Sequence, residues 1–337
     1  MHRSGTSAIT QLLALAGARL PGNVMPSDEY NEKGYFEPWR ISVFNDERLR
    51  AAVSAWDDPL TNPGTIPADE PEWRERAIKL FREEYRDAAT PLLKDPRVSV
   101  LLPLWCPVFE AENVAVQCVI PVRHPLAVAG SLGKRDGFPP LKSILLWMTY
   151  MIETERGTRH LPRAFVEYDA LLADWRPVVQ AMESKLGASL PHLDAKARAA
   201  IDDFLTPDLR HNRGDEPLTA FGEIGIAAQG VYDWLIAQAR GTGADLNPMQ
   251  AGHGLIERLR REVGPLISPV SCSNNQALSD LRTSRATLAL AQAKIDRLST
   301  TNMNLTKVVE SLTRQLTEKV DERREVEGAL NALLAVR

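Results

Sequence analysis

Two short segments of this chain carry residue types suited to gripping an anion. The first, Arg3-Ser4-Gly5-Thr6-Ser7, runs straight into an apolar stretch whose pattern predicts a helix over residues 8–18. Gly5 lets backbone N–H groups turn toward a phosphate, and the hydroxyls of Ser4, Thr6 and Ser7 add donors. The positive end of the helix points at the same spot, and Arg3 adds a forked guanidinium matched to phosphate or sulfate oxygens. The second segment is Arg123, at the end of an apolar run, with Ser131 eight residues later on the next helix. Two grips of this kind suggest a nucleotide that carries phosphates at both ends. Taken alone, the first loop suits a plain helix N-cap equally well.

Further segments give the pair a context. Arg3-Ser4-Gly5-Thr6-Ser7, Asn31-Glu32-Lys33-Gly34-Tyr35-Phe36-Glu37, Lys94-Asp95-Pro96-Arg97 and Arg123-His124-Pro125 with Ser131 occur in that order. Together they resemble the sulfotransferases that use 3′-phosphoadenosine-5′-phosphosulfate (PAPS). Leu146-Trp147 and Val166-Glu167-Tyr168-Asp169-Ala170-Leu171-Leu172 extend the resemblance, which covers about residues 1–215. It implies a P-loop-like three-layer α/β fold, a parallel sheet flanked by helices. It also implies that Arg3 contacts the 5′-phosphosulfate, with Ser4, Gly5, Thr6 and Ser7 closing around it, and that Arg123 and Ser131 bind the 3′-phosphate. Lys94 takes the place of a lysine near the bridging oxygen of the departing sulfonate. Glu37 takes the place of the carboxylate that deprotonates the acceptor hydroxyl. Arg213, in Arg210-His211-Asn212-Arg213-Gly214, echoes a late basic loop that touches the 3′-phosphate, although a basic helix C-terminus explains it equally well.

These roles make physical sense. Sulfonyl transfer resembles phosphoryl transfer, an in-line displacement whose charge sits on equatorial and leaving oxygens, so positioning and cations dominate. Arg3 and Lys94 neutralise the leaving group without a metal, and one base within reach of the acceptor hydroxyl completes the set. Glu37 stands between Tyr35-Phe36 and Pro38-Trp39, whose rings would desolvate it and raise its basicity. A structural or acceptor-binding role for Glu37 suits the same setting. His2 lies inside the loop and His124 precedes Pro125 at a helix start, so both read as structural groups. The acceptor expected is a hydroxyl-bearing carbohydrate or small molecule, with Tyr35, Phe36 and Trp39 available to stack on sugar faces. A P-loop kinase would need a loop ending Gly-Lys-Ser/Thr, which is missing, and a magnesium carboxylate after a strand. An inactive oligomeric scaffold on the same fold is the remaining alternative.

The elements that must position these residues read as alternating units. Val98-Ser99-Val100-Leu101-Leu102, Ala115-Val116-Gln117-Cys118-Val119-Ile120 and Ala164-Phe165-Val166-Glu167-Tyr168 are expected strands, continuous apolar runs that suit a parallel sheet covered on both faces. Helices are expected over 126–134, 140–155 and 170–185, so the grips fall at strand carboxyl ends, where open α/β sheets bind ligands. A phosphate loop of this type normally follows a strand. The expectation is therefore that Met1 is an internal methionine and that roughly ten or more residues precede it. The adenine platform is also unassigned, since Ala8 and Ile9 stand where some sulfotransferases carry a tryptophan.

With 337 residues the chain has room for one sizeable α/β domain, expected over 1–267, plus an extension. Residues 214–267 read as a helical lid or packing segment and 268–275 as a linker. The net charge of −4 argues against duplex binding, and the three cysteines are unpaired by motif, which fits a reduced cytoplasmic setting. No apolar run approaches membrane-spanning length. From Leu281 a heptad pattern runs to the end, with a positions Leu281, Leu288, Ile295, Asn302, Val309, Leu316, Arg323 and Leu330. The d positions from Ser284 to Leu333 are equally apolar except Ser284 and Lys319. This predicts a coiled coil over 276–337. Asn302 at a, with β-branched a neighbours and leucine at d, favours a parallel homodimer. A helix folding back onto the catalytic domain is the alternative.

Overall fold

The computed structural model describes every residue except 28–30, 32, 68–69, 207–216, 244 and 335–337, and the side chains of 282 and 332–334 also lie outside the description. The chain divides into two units, residues 1–275 and 276–337. Helices α1 (Thr6–Leu15), α2 (Trp39–Ala51), α3 (Pro71–Tyr85) and α4 (Val98–Ala111) precede strand β1 (Cys118–Val122). Helices α5 (Pro125–Asp136) and α6 (Pro140–Gly157) lead to β2 (Arg163–Glu167). Then follow α7 (Tyr168–Ala173), α8 (Trp175–Leu186), α9 (Ala195–Phe204), α10 (Gly222–Arg240) and α11 (Asn247–Glu262), and α12 spans Gly264–Leu334.

The expected three-layer sheet is not what forms. Among the described residues the sheet has two strands, β1 and β2, paired in parallel with Cys118 opposite Arg163 and Val122 opposite Glu167, and the rest is mainly helical. Two of the expected strands stand within a few residues of their expected places. The third, Val98–Leu102, is instead the start of α4. Asp95 explains the difference. Its side chain accepts from the Arg97 amide at 3.0 Å and its carbonyl from Val98 N at 3.1 Å, which winds the chain into a first turn. Pro103 and Pro107 lie further along the helix, beyond the expected strand. The two-stranded sheet borders a cavity of about 250 Å³ along residues 114–121 and another of about 440 Å³ along all of β2.

Two hydrophobic clusters hold the first unit. Trp105 of α4, Trp147 and Tyr150 of α6 and Phe44 of α2 are the large buried members of one, which α10 and α11 close with Trp234, Leu235 and Ile256. The other joins α1 to β2 and to α7, α8 and α9 through Leu12, Val166, Leu171, Trp175, Val179 and Ile201. Leu12 is fully buried, and such a side chain contributes roughly 1.5–3 kcal/mol relative to exposure. This burial is what fixes the loop before α1 against the end of the sheet.

Two further expectations are corrected. The helix expected over 170–185 breaks at Asp174, which is extended and caps α8 by accepting from Arg176 N at 3.1 Å. Residues 268–275 are helical rather than a linker. Ser271 is buried and the Cys272 thiol lies 3.9 Å from the Arg50 carbonyl, so packing on the end of α2 holds this turn. Residues 276–334, the second unit, continue as exposed helix. Among the described residues no helix is long and apolar enough to cross a membrane.

Candidate functional site

The loop ahead of α1 owes its shape to two left-handed residues. Arg3 has φ 61° and Gly5 φ 88°, and Gly5 is the N-cap of α1 without any side-chain cap. Gly5 has no side chain to cap with, and the Ser7 hydroxyl instead meets the Tyr35 carbonyl and Asn31. A Cβ on Gly5 would lie 2.2 Å from Cδ2 of Tyr168, so glycine is required for space as well as conformation. Ser4 Oγ is fully buried and has no hydrogen-bond partner among the described residues.

The two grips expected at separate ends of a ligand touch. Arg3 Nε donates to Ser131 Oγ at 2.7 Å, and an Arg123 guanidinium nitrogen donates to the Arg3 carbonyl at 3.0 Å. Arg123 also lies over the Tyr168 ring, 4.9 Å from its centroid. The parts come from different elements: Arg123 follows β1, Ser131 is buried on α5, and Tyr168 opens α7 directly after β2. Both strands thus deliver their carboxyl ends to the loop. Burial lowers the Arg3 guanidinium below the usual arginine value, and Arg135 and Arg123 add to this while Tyr35 and Asp136 oppose it. Positive charge is concentrated here, as an anion site requires.

Lys94 and Glu37 form the second half of the site. Both are buried, and Lys94 Nζ lies 2.6 Å from Glu37 Oε1. Lys94 also donates to the Tyr35 carbonyl at 2.8 Å, and Ser7 Oγ donates to that same carbonyl at 3.4 Å. One backbone oxygen therefore joins the α1 loop to the Lys94–Glu37 pair. Asn31 Nδ2 braces the segment by donating to Ser7 Oγ at 3.3 Å and to the Gly34 carbonyl at 2.7 Å. Glu37 is buried beside cations, with Oε2 3.7 Å from Arg97, whereas Trp39, expected to help desolvate it, is exposed. Phe36 packs edge-on against Phe204, with ring centroids 6.4 Å apart.

Behind the pair stands a chain of buried ion pairs and hydrogen bonds. Arg97 Nε reaches Asp46 at 2.6 Å and its NH1 reaches Asp95 at 2.8 Å. Asn45 donates to Asp95 at 2.9 Å and accepts from Trp105 Nε1 at 2.9 Å. Burial opposes the charge on Arg97, but Asp46, Asp95 and Glu37 hold it well above the usual arginine value. Burial likewise pushes Asp95 up, and Arg97 with the Asn45 bond brings it below the ordinary carboxylate value. Arg97 stood in the quoted Lys94-Asp95-Pro96-Arg97 segment, whereas Asp46 and Asn45 on α2 carry no signal in their spacing. Tyr168 lies in the 166–172 segment, and nothing in its spacing signals its close approach to Gly5.

His2 and His124 are both held by local packing or capping contacts. The His2 ring packs 4.6 Å from that of Trp56, and burial, together with Arg97 and Arg135, holds it well below the usual histidine range. His124 caps α5, its Nδ1 accepting from Leu126 N at 3.3 Å. Arg213 lies outside the described residues. No family model matches this chain, and neither a curated protein nor a solved structure matches it.

Proposed function

We infer that this chain transfers a sulfonate group from PAPS to a hydroxyl acceptor, a carbohydrate or another small molecule, in the cytoplasm. The observation that carries the reading is the convergence of Arg123 and Ser131 on Arg3, which lies 120 or more positions before them, at one glycine-bearing helix start. The buried, unpartnered Ser4 hydroxyl at that start fits a bound anion, which would supply the acceptor that Ser4 lacks. PAPS, when bound, brings the sulfonate and a leaving phosphate. Arg3 and the loop amides bind and orient the 5′ end, and Arg123 with Ser131 holds the 3′-phosphate. Lys94 Nζ stabilises negative charge on the leaving side and keeps the Glu37 carboxylate in place. Glu37 takes the acceptor's proton. The arginine and lysine charges let this occur by positioning and electrostatics.

Calorimetric titration with adenosine 3′,5′-bisphosphate, and separately with ATP and magnesium, tests this. The bisphosphate is expected to bind and ATP not to compete. Arg123→Ala should weaken binding by about 10- to 100-fold, the scale of losing a charge-assisted hydrogen bond. Glu37→Gln should leave binding in place and lower turnover by roughly 10²–10⁴-fold. Preference for ATP would move the chain to the kinase class, and binding of neither ligand would leave the scaffold reading.

A further inference from the structure

The second unit carries a feature that the proposed chemistry does not use. Residues 276–334 form helix whose heptad a and d side chains face solvent. Leu288, Ile295, Val309 and Leu316 at a, and Leu298 and Leu305 at d, are 57–69% exposed, and they are among ten large apolar residues that share these positions and this state. Its threonines add little intrinsic support. All seven threonines beyond residue 276 turn their hydroxyls onto the carbonyl four residues earlier, from Thr283 on Ser279 to Thr317 on Thr313. Threonine is a weak helix former, and this back-bonding loosens a helix slightly, so packing along the stripe must supply the stability.

We propose that residues 281–333 form a parallel, in-register, two-stranded coiled coil with a second copy of this chain. Three observations select that occupant. The first is Asn302, the one amide at an a position. Only a parallel, in-register pair sets Asn302 against Asn302 of the second copy, where the amides bond each other. An antiparallel or shifted pairing sets the amide against an apolar layer and leaves it unsatisfied. The second is charge. Arg323 at a and Lys319 at d interrupt the stripe beside Glu322 at g and Glu327 at e. Within one helix Lys319 already pairs with Glu322 at 2.6 Å and Arg323 with Glu327 at 2.9 Å, so the seam carries its own counter-charges when two copies meet. The third is area. Ten apolar side chains at roughly 60–120 Å² each cover on the order of 1,000 Å² per helix, and about 2,000 Å² for a pair meets what a stable dimer needs. The proposal is independent of sulfonate transfer and does not fall with it.

Sedimentation equilibrium of the full chain tests the pairing. The expected mass is twice the 37.4 kDa of one chain. The double variant Leu298→Lys/Leu305→Lys should sediment at half that mass and lose helical circular dichroism. All seven tryptophans precede residue 276. Unchanged tryptophan emission in the double variant would therefore show the first unit still folded. For register, Asn302→Cys should give a disulfide-linked dimer on mild oxidation, while Asn304→Cys, on the outer face, should not, with the parent chain as blank. A monomer at every concentration overturns the proposal, as does a dimer that survives the double variant. Equal crosslinking at 302 and 304 overturns the parallel register. A monomer that captures a different protein through this helix overturns the choice of partner.

Discussion

A methyl group on Gly5 would meet the Tyr168 ring at 2.2 Å in a backbone conformation, φ 88°, that side chains rarely adopt. Tyr168 also carries Arg123 on its face, so the displacement would pass directly to Arg123, the residue proposed to hold the 3′-phosphate. Gly5→Ala should therefore cost about 1–3 kcal/mol in stability and weaken adenosine 3′,5′-bisphosphate more than tenfold, read by urea titration and calorimetry. Full affinity in that variant would detach the loop from the site. His2 gives a pH-dependent expectation. Its ordinary value is 6.5, and burial with Arg97, Arg135 and Lys94 nearby sets the folded value well below this. Between the two values the unfolded chain binds the proton and the folded chain does not, so stability falls as pH drops below 6.5, by up to about 1.4 kcal/mol per pH unit. Partial burial also lowers His124 and His253. His2→Gln should accordingly shallow the stability slope between about pH 6.5 and 5 without flattening it, while an unchanged slope would place the His2 ring in water. At this scale the spacing singled out Arg3, Arg123 and Ser131, and the fold brings those three into contact. The sequence was silent on Asp46 and Asn45, whose role exists only once α2 lies against α4.

The elements were legible to different degrees for physical reasons. β1 and β2 are short apolar runs bounded by turns and could be placed to within a few residues. The run at Val98 is apolar on every side, and periodicity does not distinguish a buried helix from a buried strand in such a stretch. Asp95, which starts a turn just ahead of the run, was the local signal for helix. The break between α7 and α8 also rests on one side chain. Asp174 is exposed, so its replacement by alanine removes the cap and little else. Asp174→Ala should cost about 1 kcal/mol, seen as a lower urea midpoint. A gain in stability would indicate that residues 170–185 prefer one continuous helix, since alanine favours helix interiors.

For the whole molecule, the division near residue 275 follows a change in what the side chains do. Before it, apolar residues converge from many elements into two clusters; after it, they recur along one helix and remain exposed. The heptad was plain in the sequence because its period is local. The narrowness of the sheet was not, because the number of strands is a property of the assembled fold. The back-bonded threonines carry a final consequence under the pairing proposed above. A helix with such weak intrinsic support gains its structure from its partner, so for residues 276–334 folding and association become one equilibrium. Dilution then acts on this segment as heat or urea acts on the first unit, and the abundance of the chain itself becomes the variable that decides how much of it is folded.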